Sequence, residues 1–443
     1  MLEKINSKIF NFLLLFFISL SIIFYSPSFF EILENDSLSY INNESIRFAL
    51  YPSLIDFFET NYNYVIIFQV IFLALSIVFL VQVLSEFVVN KFLRLFFFLV
   101  ILLNFYYTSF SKSILTEAVY FSFINFSIGL FLIRNRIQNS LFTNFFIGFF
   151  IGGVMAIKPE GLLITLSLSI IYIIKQKENL KRIIFVISLC ILPFIENMIF
   201  YNLHNERNTV LDKSIIGKIF ILSGYYENKI EIEKDYNLIE IVSEKSKPVN
   251  TYLKNISNPF LKFNLKSDYE VVGQYQLSEI LGEKNIFIKI EKEKIDILKN
   301  LLINSPFDFM SLCISNYLAI WMPGGKQIFF EEYLKDNPLP PYSNLLEKSS
   351  GKIMNVNKNV LLTVLIFFFI MLIINILITL CSLYELLKTK FSNNFDLNII
   401  MILINLHLLV ISTINIASPR YLMPFFPVII LIIFIRFNKI FKY

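Results

Sequence analysis

The stretch "FFEILENDSLSYINNESIRFALYPSL" (Phe29–Leu54) lies between two long apolar runs, and it decides how the rest of the chain is interpreted. It combines two closely spaced acids, Glu34 and Asp36, with several Ser and Asn residues, Arg47 and the pair Tyr51-Pro52. Connections between packed helices commonly need only about two to eight residues. A connector this long and this polar therefore predicts a loop with a task beyond joining two helices.

The composition of the 443-residue chain predicts a membrane protein. Hydrophobic residues make up 56%, charged residues only 16%, and the mean hydropathy is +0.65, whereas soluble domains carry about 25% charged residues. The net charge of +5 comes mostly from short basic loops, which indicates orientation in the membrane and no nucleic-acid partner. Neither a disulfide framework nor a zinc site is indicated, because the three Cys and two His residues are widely separated (Cys190, Cys313, Cys381, His204, His407).

The apolar runs predict an all-α polytopic membrane protein with about ten transmembrane helices. The predicted spans are Ile9–Phe24, Tyr64–Leu84, Leu95–Phe105, Ile114–Ile133, Leu141–Ile157, Leu162–Ile174, Ile183–Phe200, Val360–Leu383, Leu397–Ile416 and Tyr421–Ile435. Lys and Arg residues concentrate in one alternating set of short loops, while the other set carries only Arg47, Lys112, Lys158 and Arg420. By the positive-inside rule both termini are cytoplasmic, so the opening stretch faces outward.

Three regions follow from this pattern. Residues 1–200 form an N-terminal transmembrane part with the first external loop at 25–63, and residues 360–443 form the C-terminal transmembrane helices. Residues 201–359 are a polar insert that alternates charges with short apolar clusters, which predicts a mixed extracytoplasmic domain. Within it, residues 306–321 predict a helix lying in the outer membrane interface, with Tyr317 and Trp321 at head-group depth.

Ionisable residues collect at the predicted outer ends of the spans. Charges near a membrane are costly and commonly mark function, although each one alone can simply cap a helix end and extend toward water. Lys158 and Arg420 are suited to bind a phosphate at head-group level. Glu34, Asp36 and Glu117 are suited to act as a general base or to hold a metal ion. Together these residues predict a polar cavity of mixed charge that is open to the outside.

Short motifs occur in a fixed order along these outer segments. The first loop contains Glu34-Asn35-Asp36 within "ENDSLSY", followed by Arg47 and Tyr51-Pro52. Later segments carry Thr116-Glu117, "KPEG" (Lys158–Gly161) and "RYLMPFFP" (Arg420–Pro427). In these motifs the chain resembles the GT-C fold integral-membrane glycosyltransferases of the protein O-mannosyltransferase and aminoarabinose-transferase type. It departs from that pattern where Lys158 replaces an Arg and where no Pro lies beside Arg47.

The resemblance implies a GT-C type fold and a transferase in a bacterial inner membrane. The donor would be a polyprenyl-phosphate-linked sugar, and the acceptor an extracytoplasmic glycan, lipid or protein beside membrane lipids. Asp36 would deprotonate the acceptor hydroxyl, with Glu34 as the second catalytic carboxylate. The configuration at the anomeric carbon of the sugar would invert. The residues expected to bind substrate or phosphate are Lys158, Arg420, Arg47, Glu117 and Tyr421. No cofactor is required by the motifs, and a divalent metal ion held by Glu34 and Asp36 is left open.

Three alternatives remain open from the sequence: two other classes of protein, and a non-catalytic member that keeps the fold, against which the intact Asp36 argues. A transporter or flippase of a lipid-linked saccharide would need polar groups near the bilayer midplane and internal repeats, whereas here the charges collect at one face. A glycan polymerase or ligase would rely on external Arg and His residues instead of an acid pair in the first loop.

Overall fold

The computed structural model describes residues 2–34, 36–137, 140–207, 217–222, 237–283, 299, 303, 306–322, 339–349, 358–388, 394–414 and 418–440. All regular secondary structure in these ranges is helical. The chain divides into two compact units. The first unit comprises Met1–Asn208, Asn375–His407 and Met423–Tyr443, and the second comprises Thr209–Ile374 and Leu408–Leu422.

The N-terminal part of the first unit is a series of apolar helices joined by short polar segments. In chain order they are α1 (Leu2–Tyr25), α2 (Ser37–Ile41), α3 (Leu50–Phe57), α4 (Tyr62–Ser85), α5 (Lys91–Leu102), α6 (Phe105–Ser109), α7 (Glu117–Ile133), α8 (Leu141–Ile157), α9 (Leu162–Lys175) and α10 (Asn179–Leu203). Short 3-10 turns at Phe110–Lys112 and Pro159–Gly161 precede α7 and α9.

The remaining helices follow a short helical segment at residues 217–222. They are α11 (Asn237–Asn255), α12 (Pro259–Glu283), α13 (Pro306–Ile320), α14 (Ser343–Ser349), α15 (Lys358–Lys388), α16 (Phe395–Ile414) and α17 (Phe426–Ile440). Two 3-10 turns, Pro419–Tyr421 and Met423–Phe425, precede α17.

The long apolar helices make this a multi-pass membrane protein. Within the described residues five helices are long and apolar enough to span a bilayer: Tyr62–Ser85, Asn179–Leu203, Leu362–Lys388, Phe395–Ile414 and Pro419–Asn438. A 54° bend separates Lys91–Leu102 from Phe105–Lys112. If these two helices together form one bent span, the number of spans rises to six.

The described helices that are long and apolar enough to span a bilayer number five or six, fewer than the expected number of about ten. Helices cover the predicted apolar runs, but α7 and α8 have 17 residues each and α9 has 14. A helix needs about 20 residues to cross the hydrocarbon layer, so these three are at or below the required length. The ten-span arrangement stays a prediction.

Glycines allow two helices of the first unit to approach closely. A Cβ atom added at Gly148 would lie 2.4 Å from the carbonyl oxygen of Phe185, and one at Gly152 would lie 2.1 Å from that of Leu189. These positions face α10, so the backbones of α8 and α10 touch where a side chain would keep them apart. Small residues at this spacing are the usual way in which membrane helices pack. Helix α8 is thereby fixed in position, and Lys158 directly follows its last residue.

The described part of the insert is helical, which corrects the expected mixed domain. In α11 the buried Val242, Val249 and Leu253 lie seven and four residues apart, and this spacing places them on one helix face. In α12, Leu261 and Leu265 follow the same period. The stretch "NIFIKIEKEKIDILKNLLI" (residues 285–303), in which charges alternate with short apolar clusters, lies almost entirely outside the described residues.

The expected helix at 306–321 is present as α13, but its buried and exposed sides differ from expectation. Trp321 is buried and does not present its ring to a head-group layer. The exposed apolar side chains on this helix are instead Phe307, Met310 and Ile314. The interfacial position of α13 stays a prediction.

The close contact of α8 and α10 generates a stability prediction. Gly152→Leu forces the two backbones apart, and overpacking of this kind typically costs about 1–3 kcal/mol or more. We expect a clear fall in the melting temperature of the purified protein in detergent. The matched control is Phe142→Leu, on the same helix, because Phe142 is 71% exposed and its replacement changes little. Equal melting temperatures for Gly152→Leu and wild type would contradict the packing described.

Candidate functional site

The loop between α1 and α4, residues 26–61, is folded and held in place by the segment that precedes α7. The backbone N–H of Phe29 donates to Ser109 Oγ at 2.9 Å, and the N–H of Ile114 donates to the carbonyl of Ile32 at 2.8 Å. Ser113 Oγ donates to the carbonyl of Glu31 at 2.7 Å. These hydrogen bonds therefore join residues 29–32 to residues 109–114, about 80 residues away in sequence.

A buried glutamine fixes the second half of the loop. Gln69 lies in α4 and is fully buried. Its carbonyl oxygen accepts from Tyr51 Oη at 2.7 Å, and its amide group donates to the carbonyls of Ser111 at 3.2 Å and Ser113 at 2.8 Å. Buried amides are almost always paired in this way because an unpaired one is costly. Tyr51, the tyrosine of the Tyr-Pro pair, is thereby locked against α4, and its ring packs edge-on against Tyr40 at 5.3 Å.

Glu196 provides a third anchor for the loop. Its carboxylate accepts from the backbone N–H of Ala49 at 3.2 Å, just before α3. Arg207 donates to both oxygens of the same carboxylate at 2.9 and 3.0 Å, and its guanidinium lies 4.4 Å from the ring centroid of Phe48. Glu196 therefore holds the loop and is not simply a helix cap.

Asp36 and Arg47 form an ion pair inside the loop. Arg47 Nη2 lies 2.8 Å from Asp36 Oδ1, and the two side chains are 19% and 35% exposed respectively. Arg47 also donates to Ser39 Oγ at 2.7 Å and to Tyr40 Oη at 3.2 Å. The guanidinium lies 4.4 Å from the centroid of the Tyr40 ring, so it is held on several sides while Asp36 still reaches solvent.

Tyr40 connects this ion pair to a second one at the ends of α7 and α8. Its hydroxyl lies 3.2 Å from Thr116 Oγ1, which donates to Glu117 Oε2 at 3.4 Å. Glu117 Oε1 in turn accepts from Lys158 Nζ at 2.8 Å. Burial, and then the negative charge of Glu117, raise the pKa of Tyr40 above its ordinary value, so its hydroxyl keeps its proton.

The Glu117–Lys158 pair is the more deeply buried of the two. The side chains of Glu117 and Lys158 are 2% and 12% exposed, and the ring centroid of Tyr120 lies 5.7 Å from the Lys158 ammonium. Helix α7 begins at Glu117, and Lys158 follows the end of α8. The motifs "ENDSLSY", Arg47, Thr116-Glu117 and "KPEG" are thus connected by one chain of contacts.

Glu34 lies beside this chain of contacts. Its carboxylate accepts from the backbone N–H of Glu31 at 2.9 Å. Partial burial raises the pKa of Glu34 above its ordinary value, and the charges of Glu31 and Asp36 act in the same direction. Within the described residues no group of three or more His, Cys, Asp or Glu side chains is arranged to hold a metal ion.

Arg420 and Tyr421 belong to the second unit and form the turn Pro419–Tyr421. The guanidinium carbon of Arg420 lies 5.5 Å from the Tyr421 ring centroid. The expected roles of both residues in phosphate binding stay predictions.

Sequence reasoning did not assign Tyr40, Thr116 or Gln69 a role. Gln69 did leave a signal, since it is the only polar residue in the apolar run "VIIFQVIFLAL" (Val65–Leu75). Tyr40 and Thr116 lie in the quoted motifs, but Tyr and Thr are too common in loops for the sequence to assign their hydroxyl groups a connecting role.

Comparison with known proteins identifies no relative: no family model, no curated protein and no solved structure matches the chain. The likeness to GT-C transferases therefore depends on the sequence motifs alone.

The buried ion pair generates a second stability prediction. Removing one partner leaves an unpaired buried charge, which typically costs about 3–5 kcal/mol, whereas removing both together costs much less. We expect Glu117→Gln and Lys158→Met each to destabilise the protein strongly, and the double variant to recover most of the loss. A double-mutant cycle from chemical unfolding measures this coupling. Additive effects of the two substitutions would show that the pair is not formed.

Proposed function

We propose that this protein is a membrane glycosyltransferase of the GT-C type, which moves a sugar from a polyprenyl-phosphate carrier to an extracytoplasmic glycan, lipid or protein. The observation that supports this proposal most is the chain of contacts from Asp36 to Lys158. It brings a solvent-accessible carboxylate and a buried cation into one site at the end of apolar helices. Recognition of a lipid phosphate alone would need the cations but not the accessible acid.

Asp36 is the general base of the proposed reaction. Its carboxylate accepts the proton of the acceptor hydroxyl while that oxygen forms a bond to the anomeric carbon of the sugar. Arg47 Nη2, 2.8 Å from Asp36 Oδ1, fixes the carboxylate's position. The side chain keeps 35% of its surface exposed, so an acceptor can reach it from outside.

Lys158 stabilises the leaving group. As the bond between the anomeric carbon and the phosphate oxygen breaks, the electron pair stays on the phosphate, and negative charge grows there. An ammonium group carries three N–H donors, so Glu117 and a lipid phosphate can share it. A preorganised cation that acts on charge developing in the transition state lowers the barrier most effectively. For Arg420 and Tyr421, a role in binding phosphate is proposed from the sequence motif alone.

The proposal includes location. The site is proposed to face the periplasm or exterior of a bacterial inner membrane, with both termini in the cytoplasm. Glu34 is proposed as the second carboxylate of the site, beside Asp36 in the sequence motif.

The test is mass spectrometry of envelope glycolipids, polysaccharides and glycoproteins from the source organism. The strains are a deletion, and the deletion complemented by wild type, Asp36→Asn or Asp56→Asn. Asp56 is the matched control because it is an exposed acid in α3 of the same loop. We expect one sugar to vanish on deletion, to return with wild type and Asp56→Asn, and to stay absent, with at least a 100-fold loss, with Asp36→Asn.

Membrane levels of each variant are checked by immunoblot so that loss of protein is not mistaken for loss of chemistry. Full restoration by Asp36→Asn would remove Asp36 as the base. In that case transport of a lipid-linked saccharide becomes the better account of the deletion phenotype.

A further inference from the structure

A polar cavity lies at the far end of α7, α8 and α9 from the candidate site. It measures about 260 Å³ and is lined by residues at the end of α7, the start of α8 and the end of α9, among them Arg134, Asn144, Tyr172 and Lys175. Helix α7 has 17 residues, and at 1.5 Å per residue the cavity is about 25 Å from Glu117 along the helix. It is therefore separate from the proposed transferase site, and the inference below does not depend on that function.

The cavity carries an excess of positive charge. Arg134, Lys175 and Lys177 contribute to its lining. Asp396 accepts from Arg134 Nη2 with both oxygens at 2.9 Å and from Lys175 at 2.7 Å, so one carboxylate is shared by two cations. Glu178, the acid in the lining, is 2.5 Å from Lys181, which is a further cation. The cations thus outnumber the carboxylates that face them.

The floor of the cavity is a fixed set of hydrogen-bonding groups. Asn144 is 1% exposed, and its side-chain oxygen accepts from the Tyr172 hydroxyl and from Gln176 Nε2, the latter at 3.0 Å. The Tyr172 ring stacks on Phe185 at 4.1 Å. Arg134, with its side chain only 6% exposed, is held by Asp396 and by the Phe131 ring 4.0 Å away. These contacts fix the polar groups in position, and a preorganised site loses less free energy on binding than a flexible one.

The surroundings of the cavity indicate where the ligand comes from. Large apolar side chains beside it are exposed: Phe142 at the start of α8 is 71% exposed, and Ile170 and Ile174 in α9 are 57% and 73% exposed. In a membrane protein such side chains face acyl chains. A ligand that combines an anionic head with hydrocarbon tails fits both parts, and basic pockets at the ends of membrane helices commonly bind anionic lipid head groups.

We propose that this cavity binds the phosphate of an anionic phospholipid in the leaflet opposite the candidate site. Arg134 and Lys175, positioned by Asp396, form one side of the phosphate site, and Lys177 approaches it from the solvent side. Gln176, held in place by Asn144, contacts the rest of the head group, while the acyl chains lie along Phe142 and Ile174.

The experiment uses the full-length protein in nanodiscs of zwitterionic phosphatidylcholine, titrated with phosphatidylglycerol and examined by native mass spectrometry. We expect wild type to retain phosphatidylglycerol in preference to phosphatidylcholine. Lys177→Gln should weaken this retention about fivefold, since one cation near a lipid surface contributes about 1 kcal/mol, and Lys177→Glu should weaken it further. Lys177 is exposed, so neither change is expected to disturb folding.

The control variant is Lys91→Gln, an exposed lysine at the start of α5, on the same predicted side of the membrane but outside the cavity lining. It should bind phosphatidylglycerol like wild type. Equal weakening by Lys91→Gln and Lys177→Gln, or no weakening by either, would overturn the assignment to this cavity. Glycerol 3-phosphate is added in a parallel titration, and displacement of the lipid at equal concentration would overturn the lipid as the ligand in favour of a free phosphate compound.

Discussion

The Glu117–Lys158 ion pair is the constraint on which the candidate site in the first unit depends. An uncompensated charge in an apolar region is very costly, so the start of α7 and the end of α8 must stay together for either residue to be tolerated. Thr116 and Tyr40 then extend the polar contacts from this pair to the loop. Gln69, Tyr51 and Glu196 hold the loop at the height where those contacts form. The result is a mixed-charge site built on fixed helix ends, with one ion pair buried and the other open to solvent.

The two ion pairs have different roles in the proposed transfer. In the proposed reaction the accessible pair, Asp36 with Arg47, receives the acceptor, and the buried pair provides the cation for the lipid phosphate. A positioning network of this kind favours precision over mobility, because each charged group is fixed by several neighbours. The second polar centre, around Arg134 and Asp396, fixes the other ends of α7, α8 and α9. Polar contacts thus hold the ends of these short helices, and α8 is held in addition by its glycine contacts with α10.

Much of the site could be predicted from the sequence because charged residues are costly inside transmembrane segments and therefore collect at helix ends and in loops. Asp36, Arg47, Glu117 and Lys158 all fall at one predicted face, and the structure connects them. The connecting role of Tyr40 and Thr116 could not be predicted, because the motifs in which they lie do not show that their hydroxyl groups meet. The number of spans was less predictable because α7, α8 and α9 are near the limiting length. The helical insert was missed because helical and alternating patterns overlap in short amphipathic segments, and Arg134 and Lys175 were interpreted only as orientation signals.

The most direct test of the central claim, that the first loop and the ends of α7 and α8 form one lipid-phosphate site, is photo-crosslinking. The full-length protein in lipid nanodiscs is irradiated with a diazirine-bearing polyprenyl phosphate, and labelled peptides are mapped by mass spectrometry. The account predicts labelling of the loop at residues 26–61 and of the segments around Glu117 and Lys158. Excess unlabelled polyprenyl phosphate should suppress the labelling, and Lys158→Gln should reduce it. Labelling that spares these segments, or that persists unchanged under competition, would contradict the account.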